Sequence, residues 1–354
     1  MKLLVSALLV VGIAARCVAA PVASPTLAID PSPRLVPAPG VADFLAAQAL
    51  ADSLGARGEV VTLKWSELEP RAGALDLSRL QRQLAYAKTR GKRVLLGLQP
   101  INTTARETPA DLSAAAWDAP ATVERFDALL TALTPSLGPV VYLSIGNEVN
   151  VYLAAHPSEA APYTRFVREI ARRQRLRTPA LKIGVTFAGN DLLTQFSFAQ
   201  SRVDATLRRE CDAFFVTYYP LRPDFSPRPA SDVPRDFDAL VRLAGGKPLV
   251  FQEIGLPSSP VVGSSEGTQA EFFRAVVRAW KTRAKNIPFG SIYSLHDFTP
   301  DIVAPLGAYY GVTDPTARPR FEAFLSSLGL RRSDGTPKAA WNVVVQDAPG
   351  LVAG

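Results

Sequence analysis

The chain is poor in the residues that metal sites and disulfide frameworks require. Its 354 residues include two cysteines, two histidines and one methionine. Removal of an N-terminal signal would take Cys17 away and leave Cys211 without an intramolecular partner, so we predict no disulfide. So few histidines and cysteines also exclude a His/Cys metal cluster, and we expect no metal and no cofactor. Cys211 opens an apolar segment and is interpreted as a small buried hydrophobe, with a catalytic thiol as the alternative.

Long apolar runs are equally scarce. Residues 3–15 form the longest candidate, and about 13 residues are too few to span a bilayer as a helix. This run follows Lys2 and precedes Ala19 and Ala20, which is the pattern of a secretory signal with a small-residue cleavage site. We therefore predict a signal peptide over residues 1–20 and a secreted or periplasmic protein with no membrane segment after cleavage. An uncleaved anchor is the alternative.

The chain is basic, but its positive charge is not clustered in the way that nucleic-acid binding requires. The net charge of +7 would fall by two with the loss of Lys2 and Arg16. The remaining arginines are spread along helical segments such as 165–177 and are not interleaved with aromatic residues, so we predict no nucleic-acid partner. A solvated surface explains them, with an acidic polymer as the alternative partner. We expect a monomer.

Strand-like and helix-like segments alternate almost to the end of the chain. We predict eight strands, at residues 27–30, 59–63, 93–98, 140–145, 182–187, 213–217, 249–252 and 291–294. We predict eight helices, at residues 41–54, 77–90, 121–133, 161–175, 192–209, 237–243, 268–283 and 320–328. This alternation predicts parallel strands joined by crossover helices, and eight pairs in series predict a single α/β domain, a (β/α)₈ TIM barrel, over residues 21–354.

The two ends of this domain are predicted to lie outside the alternating strands and helices. Residues 21–40 hold six of the 30 prolines and are expected to wrap around the bottom or the rim of the barrel. The tail after Ser333 is expected to form a surface extension anchored by Trp341. No glycine-rich phosphate-binding turn follows the first strand, so a dinucleotide site is not predicted.

Two glutamates stand directly after short, apolar, β-prone segments. Glu148 follows residues 140–147, and Glu253 follows residues 248–252. In a TIM barrel the C-terminal ends of all strands open onto the face that carries the active site. Two carboxyls in a partly desolvated cleft separate their pKa values, and cleavage of a glycosidic bond needs one protonated and one ionised carboxyl. We therefore predict a glycosidase site, with a helix cap or a surface ion pair as the alternative for each glutamate.

The motifs around these glutamates resemble those of the clan A glycoside hydrolases. Residues 144–148, Ser-Ile-Gly-Asn-Glu, resemble the strand-four motif of that clan, and Glu253 lies where its strand-seven glutamate lies. Residues 216–220 resemble strand six of endo-β-1,4-galactanases, and residues 252–258 resemble the Glu-x-Gly-Trp-Pro-Ser motif of plant-type β-1,3-glucanases. The resemblance implies a retaining mechanism with Glu148 as acid/base, Glu253 as nucleophile and Asn147 bound to a sugar hydroxyl. It does not resolve the family.

Two positions depart from the clan pattern. Lys64 lies near the end of strand two, where many members have an arginine that braces the nucleophile. Ser294 or Leu295 lies at strand eight, where many members have a tryptophan beneath the bound sugar.

Several other side chains are candidates for the site. Side-chain alternation puts Tyr218 and Tyr219 on opposite sides of strand six. We predict that the hydroxyl of Tyr218 lies near the nucleophile, with core packing as the alternative. Trp65 is predicted to stack on a sugar ring or to pack at the barrel rim, and His296 to bind a sugar hydroxyl or to pair with Asp297. Further polar groups at the end of strand three are Gln99 and Asn102.

One serine motif deserves a separate interpretation. Residues 263–267 match Gly-x-Ser-x-Gly, but a nucleophile elbow needs a strand that runs directly into the turn. A stretch rich in proline and serine precedes this one, so we interpret the match as accidental.

The sequence as a whole predicts a secreted retaining glycoside hydrolase that cleaves β-linked poly- or oligosaccharides. The alternatives are a catalytically inactive barrel that binds glycans or serves as a scaffold, and a transglycosylase that uses the same residues. The sugar, the linkage and the choice between endo and exo action depend on loop contacts that the sequence leaves open.

Overall fold

The computed structural model describes residues 24–194 and 198–352. The signal peptide predicted over residues 1–20 lies outside these ranges. The described chain contains eight successive parallel strands that pair into one sheet. They are β1 (Thr26–Ile29), β2 (Gly58–Lys64), β3 (Arg93–Asn102), β4 (Val140–Asn147), β5 (Lys182–Gly184 and Thr186–Ala188, interrupted at Val185), β6 (Phe214–Tyr218), β7 (Leu249–Ile254) and β8 (Phe289–Ile292).

The sheet closes on itself through β1 and β5. β1 pairs with β2 on one side and with β8 on the other, with Thr26 opposite Phe289 and Ile29 opposite Ile292. The first segment of β5 pairs with β4 and its second segment pairs with β6. Strand order therefore follows chain order around the ring, which confirms the predicted (β/α)₈ barrel.

The α-helices form the outer layer, and the structure has more of them than the sequence predicts. Residues 192–209 divide into two helices, and a helix over Pro300–Tyr309, which the sequence does not predict, is inserted after β8. The helices are α1 (Val41–Ser53), α2 (Trp65–Leu68), α3 (Ser78–Thr89), α4 (Pro120–Leu133), α5 (Val149–Ala155), α6 (Ala160–Arg177), α7 (Gly189–Thr194), α8 (Phe198–Glu210), α9 (Val233–Ala244), α10 (Glu266–Thr282), α11 (Pro300–Tyr309), α12 (Ala317–Leu325), α13 (Ala339–Asp347) and α14 (Pro349–Val352).

Aromatic side chains fill the barrel interior near the start of the strands. Tyr142 makes edge-to-face contacts with Phe215 at 5.8 Å and with Phe289 at 5.7 Å between ring centroids. The same buried cluster also contains Leu95, Val250, Ala28 and Ala213. Because the cluster occupies the N-terminal half of the interior, the polar side chains at the other ends of the strands are left to face an open cleft.

The Pro-rich N-terminal segment binds to the C-terminal extension at the rim beside β8. The amides of Leu35 and Val36 donate to the carbonyl of Ser333 at 2.7 and 3.0 Å. In the extension, Lys338 is buried and donates to Asp297 Oδ1 at 2.6 Å. Trp341 packs against the core and beneath the guanidinium of Arg331, which supports the predicted anchoring role.

Cys211 is buried and unpaired, as expected of a small hydrophobe. Its thiol donates to the carbonyl of Leu207 at 3.4 Å, and burial raises its pKa to about 11. Such a thiol is protonated and inert at neutral pH. Within the described residues, none of the helices has the length and apolar composition to cross a membrane.

Candidate active site

A sharp turn at the end of β4 presents Glu148 to the cleft. Gly146 has a φ of +103°, and a Cβ there would come within 2.5 Å of the Tyr163 hydroxyl. The turn therefore requires glycine. Glu148 itself has left-handed backbone angles of φ 47° and ψ 40°, which are uncommon outside glycine and cluster at functional sites.

Two threonine hydroxyls hold the Glu148 carboxylate. Thr103, in the turn after β3, donates to Oε2 at 2.8 Å, and Thr217 on β6 donates to Oε1 at 2.6 Å. Each oxygen thus has a fixed donor, and the carboxyl group is oriented from both sides. The sequence analysis missed both threonines.

Glu253 lies near the end of β7, next to this pair. It is in register with Thr217 on the neighbouring strand, so Thr217 connects the two glutamates. The Tyr219 hydroxyl donates to Glu253 Oε2 at 2.6 Å. Burial, and then the charge of Glu148, raise the pKa of Glu253 to about 7, against the lowering effect of Tyr219 and Gln252. The proximity of a second carboxyl group thus adds to burial in favouring the protonated form of Glu253.

A chain of amide groups lies beneath the glutamates. Gln252 donates to Asn147 Oδ1 at 2.7 Å, and Asn147 donates to Asn102 Oδ1 at 3.1 Å. Thr186 on β5 donates to Gln252 Oε1 at 2.7 Å. This buried network orients Asn147 and Asn102 at the floor of the cleft.

Helix α11 closes the cleft on the side of β2 and β3. The Tyr309 hydroxyl donates to Glu107 Oε1 at 2.6 Å and accepts from Asn102 at 2.9 Å. Lys64 pairs with Glu107 at 3.0 Å and lies over the Tyr309 ring. Lys64 thus braces this wall through Glu107. The next residue, Tyr310, has its pKa raised by burial and then by Glu148 and Glu253.

A cavity of about 480 Å³ opens beside Glu148. Its wall comes from the end of β5 and the following helix α7, from the end of β6 and the loop after it, and from Phe324 of α12. Polar members of the wall include Asp191 and Arg228, and apolar members include Leu221 and Phe225. Burial, then Glu148 and Asp204, raise the pKa of Asp191 to about 6.

Three sequence predictions about this site need correction. Tyr218 does not reach Glu253, because its side chain points outward and donates to Asp236 at 2.9 Å among packed aromatic rings. Tyr219 occupies the predicted position. Trp65 is fully buried against Phe126 and is not free to stack on a sugar. The short α2 helix begins at Trp65 and turns it into the helical layer.

His296 does not pair with Asp297 as one interpretation had it. Its ring is buried, and Nδ1 bonds with the carbonyl oxygen of Ser32 at 2.7 Å. Burial lowers its pKa, and Asp297 is bound instead by Lys338. His296 thus attaches the N-terminal segment to the loop that follows β8. Tyr293, which directly follows β8, is partly buried near the nucleophile, and its pKa is raised by burial and then by Asp30 and Glu253.

The Gly-x-Ser-x-Gly match lies in the loop before α10. Ser264 donates to the carbonyl of Pro257 at 2.6 Å, and Ser265 caps the helix by accepting from the Thr268 amide at 3.0 Å. No strand among the described residues runs into this turn, so it is not a nucleophile elbow. Within residues 24–194 and 198–352, no group of three or more His, Cys, Asp or Glu side chains is arranged to hold a metal.

No protein-family model matches the chain, and no curated protein matches it by sequence. Solved structures do resemble it. An exo-β-1,4-mannosidase from Opitutaceae bacterium strain TAV5 has a TM-score of 0.66 at 20% identity, over 93% of this chain and 60% of the mannosidase. The GH5_18 protein from Streptomyces cattleya, in complex with GlcNAc, has a TM-score of 0.71 at 16% identity, over 93% of this chain and 81% of that one.

A third similar structure comes from another glycosidase family. A family 39 glycoside hydrolase from the gut symbiont Bacteroides cellulosilyticus WH2 has a TM-score of 0.61 at 15% identity, over 93% of this chain and 64% of that one. At these identities the likeness shows the fold. This chain spans about three fifths of the length of the mannosidase.

Proposed function

We propose that the protein is a retaining β-glycosidase with Glu148 as acid/base and Glu253 as nucleophile. The observation that carries the proposal is the pairing through Thr217. This residue donates to the Glu148 carboxylate at 2.6 Å and is in register with Glu253. Adjacent strands are about 4.8 Å apart, so this arrangement supports two carboxyls facing one cleft. The fold it shares with solved glycosidases supports the same conclusion.

In the first step, Glu253 attacks the anomeric carbon of the bound sugar. The bond from that carbon to the glycosidic oxygen breaks, and Glu148 gives its proton to that oxygen, so the leaving sugar departs as an alcohol. The Tyr219 hydroxyl fixes the attacking carboxylate. Thr103 and Thr217 fix Glu148, which can rotate little and is preorganised for proton transfer.

In the second step, water attacks the anomeric carbon of the glycosyl-enzyme. Glu148, now ionised, takes a proton from the water, and the ester bond to Glu253 breaks. The product sugar keeps the β configuration, and both carboxyls return to their starting protonation states.

The raised pKa of Glu253 makes available the single proton that this mechanism needs. With a pKa of about 7, Glu253 is partly protonated around neutral pH. Positive charge that develops at the anomeric carbon favours the ionised form of the adjacent Glu253. We propose that substrate binding thereby moves this proton to Glu148, where the leaving oxygen requires it.

The substrate we propose first is a β-mannoside. The structures of similar fold include an exo-β-1,4-mannosidase and a GH5_18 protein in complex with Manβ1-4GlcNAc. We also propose that the protein is secreted or periplasmic, on the basis of residues 1–20, and that it is a monomer.

The proposal is tested by hydrolysis of a panel of p-nitrophenyl β-glycosides and β-1,4-linked disaccharides, with β-mannosides first. Wild type, Glu148→Gln and Glu253→Gln are compared with Glu271→Gln. The last variant is a matched control, because Glu271 is an exposed acid on α10. The proposal is supported if turnover falls by at least about 10³-fold in both site variants and stays at the wild-type level in the control.

Chemical rescue by azide then separates the roles of the two glutamates. In Glu253→Ala, azide attacks the substrate directly and gives the α-glycosyl azide. In Glu148→Ala, azide attacks the glycosyl-enzyme and gives the β-glycosyl azide. The reverse pattern would exchange the roles. Absence of turnover on every substrate, together with saccharide binding that neither Gln substitution changes, would favour the non-catalytic glycan-binding barrel. Products larger than the substrate would indicate a transglycosylase.

A further inference from the structure

The cavity beside Glu148 lies on one side of the catalytic pair. Glu148 is part of its wall and Glu253 is not; Tyr219 separates the cavity from the nucleophile. In the proposed mechanism the acid/base residue meets the oxygen of the leaving group, whereas the nucleophile meets the anomeric carbon of the sugar that stays. Space that adjoins Glu148 but not Glu253 is therefore on the leaving-group side.

Almost every polar side chain in the cavity wall already makes hydrogen bonds to other residues of the protein. Asn190 donates to the Leu221 carbonyl at 3.0 Å and accepts from Arg228 at 3.3 Å. Arg228 also bonds Asp232 at 3.2 Å and Asp236 at 3.0 Å.

The remaining polar groups of the wall also make hydrogen bonds within the protein. Arg222 bonds the carbonyl of Pro227, and Thr194 donates to the Asn190 carbonyl at 2.8 Å. Thr217 and Tyr219 are used by the two glutamates. Arg222 is exposed and bonds through Nη1 only, so it keeps donors at the outer edge of the cavity, whereas the other groups have little capacity left for a ligand.

Asp191 differs from these groups because its carboxyl has no donor among the residues that the structure describes. Its side chain lines the cavity, and no hydrogen bond joins its carboxyl to another residue of the described ranges. Glu148 is close enough to contribute to its raised pKa. A partly buried carboxyl group without a donor is costly for the fold. A ligand that brings hydroxyl donors removes that cost.

The rest of the wall is apolar. The rings of Phe225 and Phe324 stack with centroids 5.9 Å apart and an angle of 16° between their planes. Leu221 and Pro223 extend this surface. A mostly apolar cavity with one or two uncommitted polar groups is the usual form of a specific binding site, in which the polar group fixes the orientation of the ligand.

We propose that this cavity binds the leaving group and that the Asp191 carboxylate accepts hydrogen bonds from hydroxyl groups of a saccharide there. Asp191 is then a specificity-determining residue that favours sugar over simple aryl leaving groups. The inference rests on the proposed function, since it uses Glu148 as the acid/base.

The test compares two substrates that share one glycone. They are the p-nitrophenyl β-glycoside and the β-1,4-linked disaccharide of the sugar that the wild type prefers in the panel. For Asp191→Ala, the ratio of kcat/KM on the disaccharide to kcat/KM on the aryl glycoside is expected to fall by roughly 10- to 100-fold, the usual effect of hydrogen bonds to a charged group. Asp191→Asn keeps one acceptor oxygen and is expected to give a smaller fall. Glu271→Gln, with the same loss of charge on the outer helix α10, is expected to keep the wild-type ratio.

Two results would overturn the inference. An unchanged ratio with unchanged rates would mean that Asp191 contacts no leaving group. An unchanged ratio with a shifted pH profile on both substrates would mean that Asp191 acts through Glu148. Thermal unfolding of each variant confirms that its fold is intact.

A binding experiment separates failure of this inference from failure of the proposed function. Glu253→Gln removes the nucleophile but leaves the cavity complete. Its dissociation constants for the disaccharides of the panel are measured by calorimetry, with and without Asp191→Ala. A rise of about tenfold or more in the double variant supports the site even if no substrate is turned over. Equal binding by the two proteins, or no binding by either, overturns it.

Discussion

Replacement of Glu253 by glutamine should stabilise the fold in a pH-dependent manner. The pKa of Glu253 is raised from 4.5 to about 7, chiefly by burial and then by Glu148. Each pKa unit corresponds to about 1.4 kcal/mol, so ionisation of this carboxyl group costs the native state about 3 kcal/mol. Glutamine has a similar shape, accepts the same hydrogen bond from Tyr219 and never ionises.

The sign of this effect follows from proton linkage. Between pH 4.5 and pH 7 the native protein retains a proton on Glu253 that the unfolded chain has lost, so the free energy of unfolding of the wild type falls as pH rises. Below pH 4.5 the carboxyl group is protonated in both states and costs nothing. Above pH 7 the full cost of about 3 kcal/mol applies.

Urea unfolding at pH 4.5 and at pH 8 measures the effect. The advantage of Glu253→Gln over wild type is expected to grow by about 3 kcal/mol between these pH values, a large part of a typical domain stability. Other acids with raised pKa values, such as Asp30 and Asp191, are present in both proteins and largely cancel in the comparison. Glu271→Gln, at an exposed site, is expected to show no such growth. A difference that is the same at both pH values would refute the reasoning.

Three further predictions concern the site and its support. Tyr219→Phe is expected to lower kcat/KM by roughly 10- to 100-fold, because it removes the hydrogen bond to Glu253. Tyr218→Phe should instead lower the free energy of unfolding by about 1–2 kcal/mol and leave kcat/KM near that of wild type. Equal losses of kcat/KM in both variants would contradict the assignment of Tyr219 to the nucleophile. The kcat/KM profile should fall above about pH 7, where Glu253 has lost the proton that the proposed mechanism passes to Glu148, and a rate that rises through pH 8 would contradict this source of the proton. Lys338→Met should lower the free energy of unfolding by roughly 3 kcal/mol, because it leaves Asp297 buried without its cation, and a loss below about 1 kcal/mol in urea would show that the pair contributes little.

The barrel could be predicted because its strands and helices alternate with a clear period. The split of β5 at Val185 and the extra helix α11 could not. Helix α11 contains an internal proline, Pro305, and a largely apolar sequence that also fits a loop or a strand. Its position over the cleft depends on long-range contacts of Tyr309 with Asn102 and Glu107, which local patterns do not contain.

Side-chain alternation along β6 places Tyr218 and Tyr219 on opposite faces, but it does not say which of them faces the barrel interior. All five residues of β6 are buried, since one face of the strand meets the barrel interior and the other meets the helices. The apolar pattern therefore does not reveal which alternate residues face the barrel interior. Thr217 does reveal it, because a polar side chain within such a strand is more readily accommodated on the cleft side. Tyr218 must then point outward and Tyr219 inward.

The interpretation of Trp65 and His296 as sugar-binding residues failed for a different reason. Both follow strands at the correct end of the barrel, but the backbone changes direction there. Trp65 begins the short helix α2, and His296 contacts the N-terminal segment at Ser32. Position after a strand thus predicted which face each residue lies near, and the local turn decided where its side chain points.

The pairing of β1 with β8 has a consequence for the order of folding. β1 shares a single register pair with β2, at Ala28 and Gly58, but four with β8. At ribosomal rates of roughly 5–20 residues per second, β1 leaves the ribosome some tens of seconds before its principal partner is synthesised. Until then it is an apolar strand with an open edge, which is a site of misassociation. A nascent chain that stops before residue 289 should therefore depend on a chaperone to the end of its synthesis, however complete its first seven strands are.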